Sequence, residues 1–235
     1  MNEFSRWASL DVGQKSYTVQ VLHWFHYRPG AVAQSWTREE VLTWELVRAL
    51  DILPRDLFLA PLLLKISELG ADAARVARPL AADPQTVRVD PFPSLQLKGA
   101  KRNRRSDIGL IGQSGLTLWL ELKTGPFKPT PLLSQLDDQR EALRVLCNGK
   151  PCAVVPLLPA GRPAPALPTL RWDVVSFILM SCIGALTNGP EPESLRRGLR
   201  AVARELYQRI GTHPARLLPN HAFAADRRAR SKGRR

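Results

Sequence analysis

The residues best suited to chemistry lie in two apolar segments near the middle of the chain. Asp107 interrupts the run SDIGLIG, while Glu121 and Lys123 stand two residues apart in LTLWLELKT. In an extended strand, alternation sends Glu121 and Lys123 to one face together with Trp119. Burying a carboxylate and an ammonium there is costly unless they serve each other, a metal or water. A hairpin between the segments would bring Asp107 beside Glu121, so two carboxylates and a lysine are expected to converge.

A cluster of this kind suits the hydrolysis of phosphodiester bonds. Carboxylate oxygens are hard ligands that hold Mg²⁺, with Mn²⁺ as a substitute, and leave coordination positions for water and a phosphate oxygen. We therefore expect Asp107 and Glu121 to bind the metal, and the backbone carbonyl of Leu122 to add a ligand. Lys123 is expected to orient or help deprotonate the attacking water and to stabilise charge on the phosphorane.

These residues resemble the motif of the PD-(D/E)XK, or restriction-endonuclease-like, nuclease superfamily. The motif is carried by Ser106-Asp107, a gap, and Glu121-Leu122-Lys123. The resemblance covers residues 37–159, where helix, Asp strand, ExK strand, helix and strand follow in the family's order. Ser106 departs from the pattern, because proline is the first letter of the family motif. Residues 53–82 would be an insertion between the first helix and the strands.

The resemblance implies a fold, a substrate and two further site residues. The fold is α/β, a mixed central sheet flanked by helices, with additional C-terminal helices. A helix glutamate often joins the metal site in this family, which implies Glu45, with Glu40 as the alternative. A glutamine on the helix after the ExK strand implies Gln135, with Gln139 second. The expected activity is a Mg²⁺-dependent DNA endonuclease, in phage defence, restriction or mobile-element processing, and as a possible homodimer that cuts both strands.

Several alternatives remain open at the level of the sequence. Asp107 could cap a turn at a strand edge, and Glu121 with Lys123 could form a solvated surface pair of little energy. Glu45 could be an ordinary polar position of an amphipathic helix. The chain could accordingly be a non-catalytic nucleic-acid-binding module. It could also be an RNA-directed nuclease of the same fold, since catalytic residues that act on a phosphate do not read the sugar.

The charge of the chain favours a polyanionic partner. Its formal net charge is +13 at pH 7, with a sequence pI near 10.5. Two clusters hold much of the excess, and both are predicted to contact nucleic acid without reading its sequence. The first is Lys98, Lys101, Arg102, Arg104 and Arg105, directly before Asp107, and the second is Arg227, Arg228 and Arg230 in the terminal basic run.

The hydrophobic pattern predicts the elements that position these residues. Helices are predicted over residues 37–50, 54–70, 71–82, 130–149, 172–186 and 193–211, and strands within 86–100, 106–112, 116–125 and 151–159. Thr37 would be the N-cap of the first helix. Prolines are expected to interrupt the second helix near Pro61 and to close the third near Pro79. In the fourth helix, Leu132, Leu133, Leu136, Leu143 and Leu146 are expected to lie largely on one side.

These elements imply four regions along the chain. They are an N-terminal extension (1–36), a nuclease-like core (37–160), a C-terminal helical region packed on the core (161–225) and a disordered basic tail (226–235).

Composition and motifs limit the cellular compartment and the enzyme classes that fit this sequence. Three cysteines without CxxC spacing suggest neither a disulfide framework nor a zinc site, and a reducing cytosol fits best. No apolar stretch has the length of a membrane span, so no membrane partner is expected. The sequence contains neither GxxxxGK[ST] nor GxSxG, which argues against autonomous ATP hydrolysis and against a serine hydrolase.

Overall fold

β-Branched and large apolar residues build a mixed sheet at the centre of the structure. The computed structural model describes residues 38–95, 104–125, 127–160 and 167–212. The strands are β1 (Arg88–Pro91), β2 (Ser94–Leu95), β3 (Arg104–Arg105), β4 (Ile108–Ile111), β5 (Thr117–Leu122), β6 (Cys152–Leu158) and β7 (Leu170–Arg171). Five of them form a sheet in the order β1-β4-β5-β6-β7, and β2 pairs with β3 in a separate ribbon. The predicted mixed α/β class is confirmed.

Six α-helices accompany the sheet within the described residues. They are α1 (Arg38–Ile52), α2 (Leu59–Ser67), α3 (Ala71–Ala82), α4 (Pro129–Cys147), α5 (Trp172–Thr187) and α6 (Glu193–Thr212). Helix α4 packs on β6, α3 packs on β5 and β6, and α5 packs on α6. None of these helices has the length and apolar character needed to cross a membrane. All described residues belong to one compact unit.

Strand β5 lies in the middle of the sheet and carries the predicted ExK residues. It pairs antiparallel with β4, where Ile108 faces Leu120, and parallel with β6, where Glu121 faces Pro156. All six of its residues are buried. Because the strand has neighbours on both sides and helices around it, a charged side chain placed here must find its partners inside the protein.

One face of β5 builds a core with α4. Trp119 is fully buried and packs with Leu132, Leu136 and Leu143 of α4 and with Val154 of β6. Two residues further along the same face comes Glu121. The alternation predicted for β5 therefore places the carboxylate at the margin of this core, under α4.

Three details of the helices differ from the predictions. Pro61 lies in the first turn of α2, where its missing N–H is not needed, and the helix continues to Ser67. Pro79 lies inside α3, which ends only at Ala82. Leu146 is half exposed, unlike Leu132, Leu136 and Leu143, because α4 is oriented with Ala142 and Cys147 towards the core.

Some predictions fall outside the described residues. They concern the cap Thr37, the N-terminal extension, the basic tail with Arg227, Arg228 and Arg230, and the loop residues Lys98, Lys101 and Arg102. Arg104 and Arg105 are placed as strand positions of β3, opposite Leu95 and Ser94.

Candidate active site

Asp107 and Glu121 meet where β4 and β5 begin to separate. The register that pairs Ile108 with Leu120 places Asp107 across from Glu121 when it is continued by one residue. Directly opposed residues of an antiparallel pair point to the same face. The hairpin predicted from the sequence thus brings the two carboxylates together at the carboxyl end of β5.

Three side chains donate to the buried carboxylate of Glu121, which is 3% exposed. Lys123 Nζ and Gln135 Nε2 each lie 2.6 Å from Oε1, and Gln139 Nε2 lies 2.6 Å from Oε2. Gln135 and Gln139 are one helical turn apart on α4, so both amides face the strand. These bonds fix the orientation of the carboxylate from two sides, the strand and the helix.

Asp107 is held by the backbone of the next strand. The Leu122 amide donates to Asp107 Oδ2 over 2.7 Å. The pKa of Asp107 is raised to about 7, first by burial and then by the negative charge of Glu121. The Leu122 hydrogen bond and the Lys123 ammonium act the other way without cancelling this effect. Asp107 is therefore a carboxyl group that can exchange a proton near neutral pH.

Lys123 lies between two carboxylates rather than one. Its Nζ is 2.6 Å from Glu121 Oε1 and 3.5 Å from Glu39 Oε1 on α1. Burial alone lowers the pKa of Lys123, but the charges of Glu121 and Glu39 outweigh burial and raise it. Burial also raises the pKa of Glu39, and Lys123 opposes that rise. Lys123 is accordingly a protonated ammonium in this arrangement.

Backbone contacts hold the end of β5 in position around these side chains. The Trp172 indole N–H donates to the Lys123 carbonyl over 3.1 Å from the first residue of α5. The Thr124 amide donates to Glu39 Oε2 over 3.4 Å. Ser106 stands where the resembled family has proline, and its buried hydroxyl donates to the Leu120 carbonyl over 2.9 Å. The serine therefore joins the turn before Asp107 to β5.

The structure brings together most, but not all, of the predicted site residues. Asp107, Glu121, Leu122, Lys123, Gln135 and Gln139 come together at the end of β5. Glu45 does not join them. It ion-pairs with Arg48 over 3.7 Å and with Arg209 of α6 over 3.4 Å, and burial raises its pKa.

Glu39 takes the place on α1 that was expected for Glu45. The two residues are six positions apart, which is about 600° of helical rotation, so they lie on different faces of the helix. The helix pattern TREEVLTWELV offers three glutamates, Glu39, Glu40 and Glu45, and periodicity does not say which one faces the strand end. Only the docking of α1 makes that choice.

Within the part of the chain that is described, no three His, Cys, Asp or Glu side chains lie close enough together to hold a metal ion by themselves. Comparison with protein-family models, with curated proteins and with solved structures found no match. The function of the cluster must therefore be argued from its own residues.

Proposed function

We propose that this chain is a metal-dependent phosphodiesterase that cleaves DNA, as the resemblance to PD-(D/E)XK nucleases implies. The observation that supports the proposal is the convergence of Asp107, Glu121 and Lys123 at the end of a central strand. An accidental solvated pair on an edge strand would not be buried in the sheet, held by two glutamines of a helix, and joined by Glu39.

The donor set fits a divalent cation with hard oxygen ligands. A carboxylate has about four lone-pair sites, and Glu121 uses three of them for Lys123, Gln135 and Gln139, which leaves one. The raised pKa of Asp107 reflects burial first and the charge of Glu121 second, and a bound cation would offset both by favouring the ionised carboxylate. Asp107 and Glu121 would hold the ion with the Leu122 carbonyl, and water would complete the coordination. The ion would supply charge stabilisation and an activated water.

Lys123 acts as a fixed cation rather than as a base. Its ammonium is kept protonated by Glu121 and Glu39, and a protonated lysine donates hydrogen bonds but accepts none. It is placed to neutralise a phosphate oxygen as negative charge develops there. Gln135 and Gln139 position the Glu121 carboxylate, and a bound cation would keep Asp107 ionised as its ligand.

Basic residues next to the site support a nucleic acid as the substrate. Strand β3 consists of Arg104 and Arg105, and Asp107 follows two residues later. Strand β3 therefore places two basic positions of the backbone shortly before Asp107. Together with the net charge of +13, this placement favours a phosphate backbone that passes the carboxylates.

The direct test is cleavage of labelled double-stranded DNA, single-stranded DNA and RNA by the purified protein, with Mg²⁺, with Mn²⁺ or with chelator. We expect metal-dependent cleavage of DNA. Replacing Lys123 with alanine is expected to reduce the rate about 10²–10³-fold, as the loss of one group that stabilises transition-state charge does elsewhere. Lys65→Ala is the matched control, because Lys65 is an exposed lysine of α2 that pairs with its helical neighbour Glu68.

Several outcomes would contradict the proposal. Failure to cleave any of the three substrates with either metal would refute it, as would a Lys123→Ala variant as active as Lys65→Ala. Salt-sensitive DNA binding without cleavage would instead favour the non-catalytic binding module. Cleavage confined to RNA would keep the chemistry and replace the substrate.

A further inference from the structure

Two of the three cysteines lie near each other, although their spacing in the sequence does not predict this. They lie at the start of β6, and the candidate site lies beside the other end of that strand. Cys147 is the last residue of α4, and Cys152 is the first residue of β6. The short connection between them turns through Asn148 and Gly149, which have φ values of 47° and 83°. The Lys150 amide donates to the Cys147 carbonyl over 3.0 Å and closes the turn.

The two cysteines adjoin the same core but differ in exposure. Cys147 is 6% exposed in the core under α4, and Cys152 packs against that core, close enough for Cys147 to raise the pKa of Cys152. Cys152 also lines a cleft of about 200 Å³.

Two arginines of α4, Arg140 and Arg144, and the aspartate Asp72 line this cleft. Arg140 ion-pairs with Asp137 over 2.9 Å, and Arg144 lies 3.9 Å from Glu141. One thiol is thus reachable from a cleft with two arginines and one aspartate in its lining, and the other belongs to the core against which the first packs.

We propose that Cys152 and Cys147 form a thiol-disulfide exchange site. The cleft accepts a small disulfide that bears carboxylates, and the exchange leaves the two cysteines joined as an intramolecular disulfide. Oxidised glutathione has the chemistry required of that reagent. Its carboxylates suit Arg140 and Arg144, and its sulfurs would lie beside Cys152. This inference is independent of the function proposed for the carboxylate cluster.

The exchange takes place in two steps and consumes one small disulfide. Cys152 loses its proton and attacks one sulfur of the reagent RSSR, which breaks the S–S bond, forms a mixed disulfide and releases RS⁻. Cys147 then loses its proton and attacks the Cys152 sulfur, which forms the protein disulfide and releases the second RS⁻. The two thiolates take up the two protons. The protein pair is oxidised by two electrons, and RSSR is reduced to two RSH.

The surroundings of Cys152 make the exchange slow. The pKa of Cys152 is raised to about 11, first by burial and then by Cys147, while Arg144 opposes the rise. Relative to the ordinary value of 9.0, this lowers the thiolate fraction at neutral pH about a hundredfold. The greater nucleophilicity of a basic thiolate recovers about tenfold of that loss. Attack by Cys152 is therefore expected to be about tenfold slower than by an unperturbed thiol.

The experiment treats the folded full-length chain with excess oxidised glutathione and follows intact mass and peptide maps. We expect the wild type to lose two hydrogen masses and to yield a linked Cys147–Cys152 peptide. Cys147→Ser is expected to stop at a glutathione adduct on Cys152. Cys152→Ser should remain unmodified at Cys147. Cys182→Ser is the matched control and should behave like the wild type, because Cys182 is buried on α5 and does not line the cleft.

The role of the cleft is measured by comparing oxidised glutathione with the uncharged hydroxyethyl disulfide. Arg144→Gln is expected to slow the reaction with glutathione about two- to fivefold more than the reaction with the uncharged reagent, the range of an exposed ion pair. Both reagents share the smaller loss of thiolate that follows from removing Arg144, which lowers the pKa of Cys152. Arg197→Gln, an exposed arginine of α6, is the control. The proposal is overturned if the wild type stays reduced while the urea-unfolded chain oxidises. It is also overturned if Cys147→Ser forms no adduct, or if Arg144→Gln slows neither reagent or both equally.

Discussion

Asp107 should make the metal-free protein less stable as the pH rises, and its replacement by asparagine should remove this effect. The pKa of Asp107 is raised from 3.8 to about 7, first by burial and then by Glu121. Between these two values the folded state binds more protons than the unfolded state, so stability falls with increasing pH. The loss begins near pH 4 and is complete above about pH 7.

The size of the effect follows from the shift. A shift of about three units at about 1.36 kcal/mol per unit gives a ceiling of about 4 kcal/mol above pH 7. Relaxation and partial solvation reduce such penalties, so we expect Asp107→Asn to be about 1–3 kcal/mol more stable than the wild type at pH 8. Near pH 4 the two should be equal. Asparagine keeps the shape of the side chain and still offers an oxygen to the Leu122 amide.

Urea denaturation of the metal-free protein at several pH values between 4 and 8 measures this difference. The comparison of variant with wild type isolates Asp107 from the other buried carboxyls, which titrate in both. Asp137→Asn is the matched control, because Asp137 is an exposed aspartate of α4 paired with Arg140. The reasoning is refuted if wild type and Asp107→Asn have parallel stability curves from pH 4 to pH 8, or if the variant is the less stable one at pH 8.

Two further predictions separate neighbouring residues with different roles. Glu39→Gln is expected to lower the cleavage rate at least about tenfold, because Glu39 pairs with Lys123. Glu45→Gln should stay within about twofold of the wild-type rate in the same nuclease assay, because Glu45 pairs with Arg209 instead. Equal losses in the two variants would contradict this assignment. Leu136→Ala is expected to lower the free energy of unfolding in urea by about 2–5 kcal/mol, and Leu146→Ala by under about 1 kcal/mol. The reason is that Leu136 is fully buried and Leu146 is half exposed. Similar losses in the two variants would mean that α4 packs on the sheet through a different face.

The glutamate on α1 is the site residue that the sequence did not identify. Strand patterns are local, so alternation assigned Glu121 and Lys123 to one face, and the hairpin brought Asp107 across from them. The glutamines were predicted from the resemblance to the nuclease superfamily, which implied Gln135 first and Gln139 second, and not from the helical pattern. The choice of Glu39 over Glu45 depends on how α1 is rotated against the sheet. That rotation is set by contacts between residues far apart in the chain, including Arg209 with Glu45.

The sequence by itself determined the helices, the strands other than the two-residue β3 and β7, and the common face of Glu121 and Lys123, because these follow from the period of side chains along a backbone. Only the tertiary structure decided which partners those side chains meet. It placed Glu39 beside Lys123, left Leu146 half exposed and put Cys152 against Cys147. Such contacts depend on the rotation and docking of whole elements, which local periodicity does not fix.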